Sequence, residues 1–154
     1  MAEFDINTVK GNDRFIAGGA VLFVILAFFP WRAVGPFHVA LFGAGSYGLP
    51  KLSLLLAVVA GGLVIARLMG ALESVSLPAG VNLLTLAATA AATALLLLQY
   101  LFGFSYRLHP ASGFYLGILD SGAMTYFAFL NFKASGEEMP TLPQGGSTPP
   151  PPGP

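Results

Sequence analysis

The feature of this chain that most constrains its fold is a set of four long apolar stretches. They cover residues 15–31, 52–72, 79–102 and 114–132 of the 154. Each is close to the roughly 20 residues that an α-helix needs to cross about 30 Å of hydrocarbon. Inside a bilayer, every backbone N–H and C=O must be satisfied within the protein, which favours helices over open strands. The sequence therefore predicts an all-α fold, a bundle of four transmembrane helices.

The composition also indicates a membrane protein. Hydrophobic residues make up 55% of the chain and charged residues only 9%, whereas a soluble domain usually carries about 25% charged residues. The formal net charge is zero, and no patch of Lys and Arg could follow a phosphate backbone, so nucleic acid is not an expected partner. The absence of cysteine excludes disulfides, thiolate zinc sites and iron–sulfur clusters.

Three regions are expected along the chain. A polar lead-in, residues 1–12, precedes a membrane domain of residues 13–133, with Asn12 or Asp13 as the N-cap of the first helix. The linker after the first span should lie in the membrane interface or fold back over the mouth of the bundle, with a short amphipathic helix over residues 37–42. A tight turn at residues 74–78 makes the second and third helices a hairpin. Residues 134–154, rich in Pro and Gly, should form a disordered tail.

Four spans place both termini on the same side of the membrane. The two cations that precede the first helix favour cytoplasmic termini, because the first helix often determines orientation. Trp31 and Arg32 are expected as interfacial anchors at the end of the first span. Arg67, near the end of the second span, should extend its guanidinium to the headgroups or pair with Glu73. The predicted location is the cell membrane, as a multi-pass protein.

Asp120 is the one acidic residue well inside a predicted span. A carboxylate at that depth is costly unless it is paired, protonated or hydrated, so it is a candidate functional residue. Small neighbours would let another element approach it, and we expect coupling to the linker through Arg107 or His109. Two interpretations stay open: Asp120 is a structural tether, or it is the titrating group of a transporter.

Small residues at four-residue spacing predict the faces on which helices pack, because they let backbones approach closely. We expect the threonine hydroxyls of this set to bond to the carbonyl four residues earlier rather than to a ligand. The set comprises Gly62, Ala66 and Gly70 on the second span and Thr85, Thr89 and Thr93 on the third.

The sequence carries no recognisable catalytic or cofactor motif. His38 and His109 are the only histidines, and they lack a ligand spacing such as HExxH, so neither a metal nor another cofactor is predicted. Paired carboxylates, a nucleophile–base set and a nucleotide-binding loop are also missing. The expected function is therefore not enzymatic.

Two short motifs carry a resemblance to a family. Gly11-Asn12-Asp13-Arg14 forms a charged lead-in, and Phe29-Pro30-Trp31 closes the first apolar stretch. Over residues 10–133 the chain resembles a class of small four-helix bacterial integral membrane proteins with a Pro-rich tail. The resemblance implies a four-helix membrane fold and no particular activity.

Together these features predict an accessory or scaffold component of a membrane assembly. Its expected partners are the lipid bilayer, another membrane protein or a second copy, and a soluble protein that binds the Pro-rich tail. Two alternatives stay open. One is an oligomeric proton- or solute-coupled transporter that uses Asp120, and the other is an envelope or lipid-sensing protein that uses the aromatic linker, residues 36–47.

Overall fold

The structure is a computed structural model that describes residues 6–43, 48–72, 75, 77, 79–104 and 107–137, without the side chains of residues 6–9. The described residues form four helices and three short strands. In chain order these are α1 (Ile6–Leu26), β1 (Pro30–Val34), β2 (Phe37–Ala40), α2 (Gly48–Leu68), α3 (Val81–Phe102), β3 (His109–Pro110) and α4 (Ser112–Ser135).

The four helices form an antiparallel bundle in which each helix packs on the next and α4 packs back on α1. Between α2 and α3, the Ser53 hydroxyl donates to the carbonyl of Ala92 at 2.8 Å. The late residue Arg67 of α2 bonds to the early residue Asn82 of α3, which fixes the antiparallel direction. The predicted pairing of the second and third helices is confirmed. Most of the predicted turn at 74–78 lies outside the described residues.

The linker after α1 forms a small antiparallel sheet of order β2-β1-β3, which the sequence analysis did not predict. Val34 of β1 lies opposite Phe37 of β2, and Gly35 in the turn between them has a φ of 56°, a conformation that favours glycine. Aromatic and β-branched residues on both sides of this turn favour strands. The fold is therefore mostly helical with a three-stranded sheet, and the predicted amphipathic helix over residues 37–42 is wrong.

Helix α1 is displaced toward the N-terminus relative to its predicted span. It already includes residues 6–12, so Asn12 and Asp13 lie inside the helix and do not cap it. It ends at Leu26, before Pro30 begins β1, whereas the sequence analysis extended the helix to Trp31. Proline has no N–H to give to a helix, and it is accepted at the first residue of a strand.

Small and weakly polar side chains line much of the bundle interior, while large apolar side chains face outward on every helix. Interior examples are Ala20, Ala57, Ala60, Thr85, Thr89, Ala92, Ser121 and Ala128. Outward examples are Val21, Ile25, Leu55, Val59, Leu97, Leu101, Leu119 and Phe129.

The predicted packing face is correct for α3 and displaced on α2. Thr85 and Thr89 are buried, and each hydroxyl donates to the carbonyl four residues earlier, at 2.8 and 3.0 Å. Thr93 is half-buried and makes the same bond at 3.1 Å. On α2, the buried positions around Gly61 are Ala57, Ala60 and Val64, and Gly61 itself lies against Ala20 of α1. The predicted set lies off this buried face: a Cβ at Gly62 would meet open space, and neither Ala66 nor Gly70 is fully buried.

Two helices, α2 and α3, are long and apolar enough to cross a membrane within the described part of the chain. At about 1.5 Å per residue each is roughly 31–33 Å long, which matches the hydrocarbon thickness. Polar residues lower the hydropathy of α1 and α4. By length and composition, the described part of the chain thus contains two candidate membrane spans among its four helices.

Candidate functional site

Polar side chains from all four helices meet at the end of the bundle where α1 begins and α4 ends. We call this group the terminal polar cluster. It consists of Asp13 of α1, Arg67 of α2, Asn82 of α3, and Asn131 and Glu137 at the end of α4.

Asp13 and Arg67 form the centre of the terminal polar cluster. The Asp13 side chain is only 1% exposed. Arg67 Nε donates to Asp13 Oδ2 at 3.0 Å, and Arg67 Nη2 donates to Oδ1 of the same carboxylate. Asn131 Nδ2 adds a third bond to Oδ1 at 2.7 Å. A two-bond guanidinium–carboxylate pair fixes orientation as well as charge.

The cluster continues to the start of α3. Arg67 Nη1 donates to Asn82 Oδ1, and Asn82 Nδ2 donates to Glu137 Oε1 at 2.8 Å. The backbone N–H of Leu83 donates to Glu137 Oε2 at 2.9 Å. Glu137 therefore caps α3 although it lies far from α3 in the sequence. Its negative charge also interacts favourably with the positive end of the α3 helix dipole. Gly80 permits this approach, since a Cβ there would lie 2.2 Å from the Glu137 carboxyl carbon.

The contacts within this cluster are structural, because they hold the four helices together. Its two carboxylates and one guanidinium bond to each other, to amides and to a helix N-terminus. Buried charges are tolerated when they are paired and hydrogen-bonded in this way. Because every helix contributes a member, the cluster sets the axial position of each helix relative to its neighbours.

Sequence analysis named two members of this cluster, Asp13 as a possible N-cap and Arg67 as an anchor, and gave both a different role. Arg67 was expected to reach the headgroups or to pair with Glu73, which lies outside the described residues. Instead its partners are on α1 and α3. Asn82 and Asn131 were missed, although amide side chains within apolar stretches are a recognisable signal of polar contacts between helices.

The opposite end of the bundle is closed by Trp31. Its indole is buried, and Nε1 donates to the carbonyl of Leu26 at 2.6 Å. Its ring packs edge-on against Phe23 and Phe114, with centroid separations of 5.8 and 5.9 Å. A Cβ at Gly117 would lie 2.7 Å from Trp31 Cη2, so the glycine makes room for the ring.

Trp31 and Arg32 were both predicted to be interfacial anchors. The structure instead buries both side chains, and Arg32 interacts with a neighbouring residue. The turn after α1 and strand β1 direct the Trp31 ring back into the bundle, which sequence spacing alone does not reveal.

Asp120 lies at the contact between α4 and α1. Its Oδ1 would be 3.2 Å from a Cβ at Gly19, and its Oδ2 is buried without a hydrogen-bond partner. The structure does not bring it together with Arg107 or His109: within the described ranges, no hydrogen bond or ion pair joins Asp120 to either residue. Arg107 is exposed, and His109 belongs to β3.

The sheet places the two histidines on one face, with the central strand β1 between them. His38 of β2 and His109 of β3 both lie opposite Ala33 of β1, so the three side chains share one face. Among the residues that the structure describes, no group of three His, Cys, Asp or Glu side chains could hold a metal ion.

The comparisons with known proteins assign no family. No protein-family model, no curated protein and no solved structure matches this chain.

Proposed function

We propose that this chain is a small integral membrane protein with all four helices embedded in the bilayer, acting as a non-enzymatic accessory or scaffold subunit of a membrane assembly. The observation that carries the proposal is the outward orientation of large apolar side chains on every helix. It extends to the two helices of lower hydropathy, where Val21 of α1 is 56% exposed and Leu119 of α4 is 70% exposed. Exposed apolar surface of this extent suits lipid rather than water.

The polar residues of α1 and α4 are compatible with this proposal because of where they lie. Asp13 and Asn131 are buried in the terminal polar cluster, and Ser121 is buried in the bundle. Polar groups that face other helices are tolerated in membrane proteins. The apolar part of α1 runs from Phe15 to Leu26 and is short, about 18 Å at about 1.5 Å per residue. The linker residues that follow, as far as Trp31, extend this apolar segment.

A scaffold role is supported by the contacts that hold the helices together at both ends of the bundle. The terminal polar cluster joins all four helices at one end, and Trp31 closes the other. Near the Trp31 end, Phe28, Phe37 and Phe102 are strongly exposed, which suits contact with the membrane interface or with another membrane protein. The Pro-rich sequence beyond residue 137 would offer a soluble partner a proline-rich binding motif.

Cross-linking in native membranes followed by affinity purification tests the accessory role. We expect the full chain to recover a defined membrane partner together with a soluble one. A variant that lacks residues 140–154 retains Glu137 and should lose only the soluble partner. Recovery of the chain alone from both samples would contradict the proposal.

One observation favours a second candidate, an oligomeric proton- or solute-coupled transporter. Asp120 presents a buried, unpartnered carboxylate oxygen at the α1–α4 contact. An acidic side chain of this kind within a membrane helix can bind and release a proton, as in the proton relays of pumps and transporters. Proton flux into liposomes that contain the purified protein, and its loss in Asp120→Asn, would support this candidate. Absence of flux, or flux that Asp120→Asn leaves intact, would exclude it.

A further inference from the structure

A groove separates the first turn of α2 from the last turns of α3. Its volume is about 720 Å³, and its walls include Leu49, Leu52, Leu98, Gln99, Phe102 and Phe104. Pockets of this size, lined by apolar residues with a few polar groups, are typical of sites for small molecules. This groove lies at the Trp31 end of the bundle, distant from the terminal polar cluster.

Among the described residues of the groove wall, Gln99 is the one with a polar side chain. It is only 2% exposed, and its Nε2 is buried without a hydrogen-bond partner among the described residues. The amide folds over Gly103, where a Cβ would lie 1.7 Å from Nε2. A buried amide donor that lacks an acceptor is unfavourable, so the groove contains a donor that a bound molecule can satisfy.

We propose that this groove binds one acyl chain of a membrane glycerolipid, whose ester carbonyl accepts a hydrogen bond from Gln99 Nε2. The proposal rests on the membrane embedding argued above. Gln99 lies three residues before the end of α3, or about 4.5 Å along the helix. The ester groups of a glycerolipid lie at the same boundary between hydrocarbon and headgroups.

The wall composition favours the ester region of a lipid over its headgroup. None of the described residues that line the groove is charged, so these residues offer no cation to bind a phosphate. Leu49, Leu52 and Leu98 supply an apolar surface along which a hydrocarbon chain can lie. One neutral donor beside an apolar wall matches a carbonyl followed by an acyl chain.

Photo-cross-linking in reconstituted vesicles tests the proposal. The vesicles contain phosphatidylethanolamine and phosphatidylglycerol, with a trace of phosphatidylcholine that carries a diazirine in its acyl chain. A second probe replaces the ester by an ether and so removes the carbonyl. We expect labelling of the wild-type chain to concentrate on Leu49, Leu52 and residues 98–104. The ester probe should label these positions about two- to tenfold more than the ether probe, as expected for one hydrogen bond.

Two variants sharpen the test. Gln99→Leu should reduce labelling by the ester probe to the level of the ether probe. Leu98→Trp fills the groove and should abolish the preference, whereas Leu97→Trp is its matched control, because Leu97 is 47% exposed and Leu98 is 44% exposed while only Leu98 lines the groove. The comparison of the two probes on the wild-type chain holds even if a variant fails to fold.

The other outcomes separate this proposal from the proposed function. Even labelling of all outward faces, Leu119 and Phe129 included, would overturn the groove site and leave membrane embedding intact. Lipid labelling of the other outward faces that spares the groove would mean that something else, such as a second copy, covers it, and would also overturn the proposal. Absence of labelling on every helix would contradict membrane embedding itself.

Discussion

The buried Asp13 carboxylate of α1 and the partly exposed Arg67 guanidinium of α2 form an ion pair that connects all four helices. Asn131 extends the pair to α4, and Asn82 extends it to α3. In a bilayer the hydrophobic effect does not drive helices together, so packing and interhelical hydrogen bonds decide how they assemble. This pair is therefore expected to determine much of the stability and alignment of the bundle.

Arg67→Met should destabilise the protein strongly, because it leaves the Asp13 carboxylate buried without its cation. Removing one partner of a buried ion pair typically costs about 3–5 kcal/mol. Thermal unfolding in detergent micelles measures the effect. The double variant Asp13→Leu/Arg67→Met should recover part of the loss, since it removes both charges. Equal stability of the wild type and Arg67→Met would show that the pair does not stabilise the fold.

A second prediction concerns the register of the α1–α2 contact and uses two neighbouring glycines. Gly61→Ala should destabilise the protein by about 1–3 kcal/mol through overpacking, because the new Cβ would lie 2.4 Å from that of Ala20. Gly62→Ala meets open space and should be neutral or stabilising by up to about 1 kcal/mol, the difference in helix propensity. Unfolding of both variants under identical detergent conditions gives the comparison. Effects of the same sign and size would refute this packing register.

These two glycines also illustrate how far sequence reasoning reaches. Apolar segment length predicted four helices, because backbone hydrogen bonding acts on each segment separately. The short turn at residues 74–78 predicted the pairing of α2 with α3. The choice between Gly61 and Gly62 depends on how a helix is rotated toward its neighbour. Small residues occur at both positions, so their spacing alone does not decide the rotation.

A third prediction tests the space around Trp31. Gly117→Ala should destabilise the protein by about 1–3 kcal/mol, because its Cβ would lie 2.7 Å from the indole ring. Gly122→Ala on the same helix is the control, since a Cβ there contacts nothing within 4 Å. Near-ultraviolet circular dichroism reports on Trp31, the only tryptophan in the chain. Gly117→Ala should alter that signal and Gly122→Ala should not; unchanged spectra and stability in both would argue against a buried indole.

A fourth prediction concerns the cap that Glu137 provides to α3. Glu137→Ala should destabilise the protein by about 0.5–2 kcal/mol, the usual effect of losing a helix cap. Glu137→Gln retains one acceptor oxygen and should lose less. Gly80→Ala should resemble Glu137→Ala, because its Cβ occupies the position of the carboxylate. Denaturation of the double variant should reveal no further loss; fully additive effects would mean that the two residues act independently.

The candidate site was less predictable than the helices. Arg67 stands out in the sequence, but its partner Asp13 lies 54 positions away, and an ion pair at that separation follows only from the bundle arrangement. The burial of Trp31 depends on the strand β1, whose existence sequence analysis missed because it treated residues 15–31 as one helix. Asp120 was found from its position in an apolar stretch, yet the element facing it is α1.

Single-cysteine labelling tests membrane embedding of all four helices most directly. The chain has no cysteine, so Val21→Cys on α1 and Leu119→Cys on α4 each introduce the only thiol. Lys51→Cys and Lys133→Cys, exposed near opposite ends of the bundle, are the controls. In membrane fragments that expose both faces to the buffer, a membrane-impermeant maleimide should label positions 51 and 133. Positions 21 and 119 should stay unmodified until detergent is added. Labelling of positions 21 and 119 from water, at the rate of the controls, would contradict the four-helix membrane account.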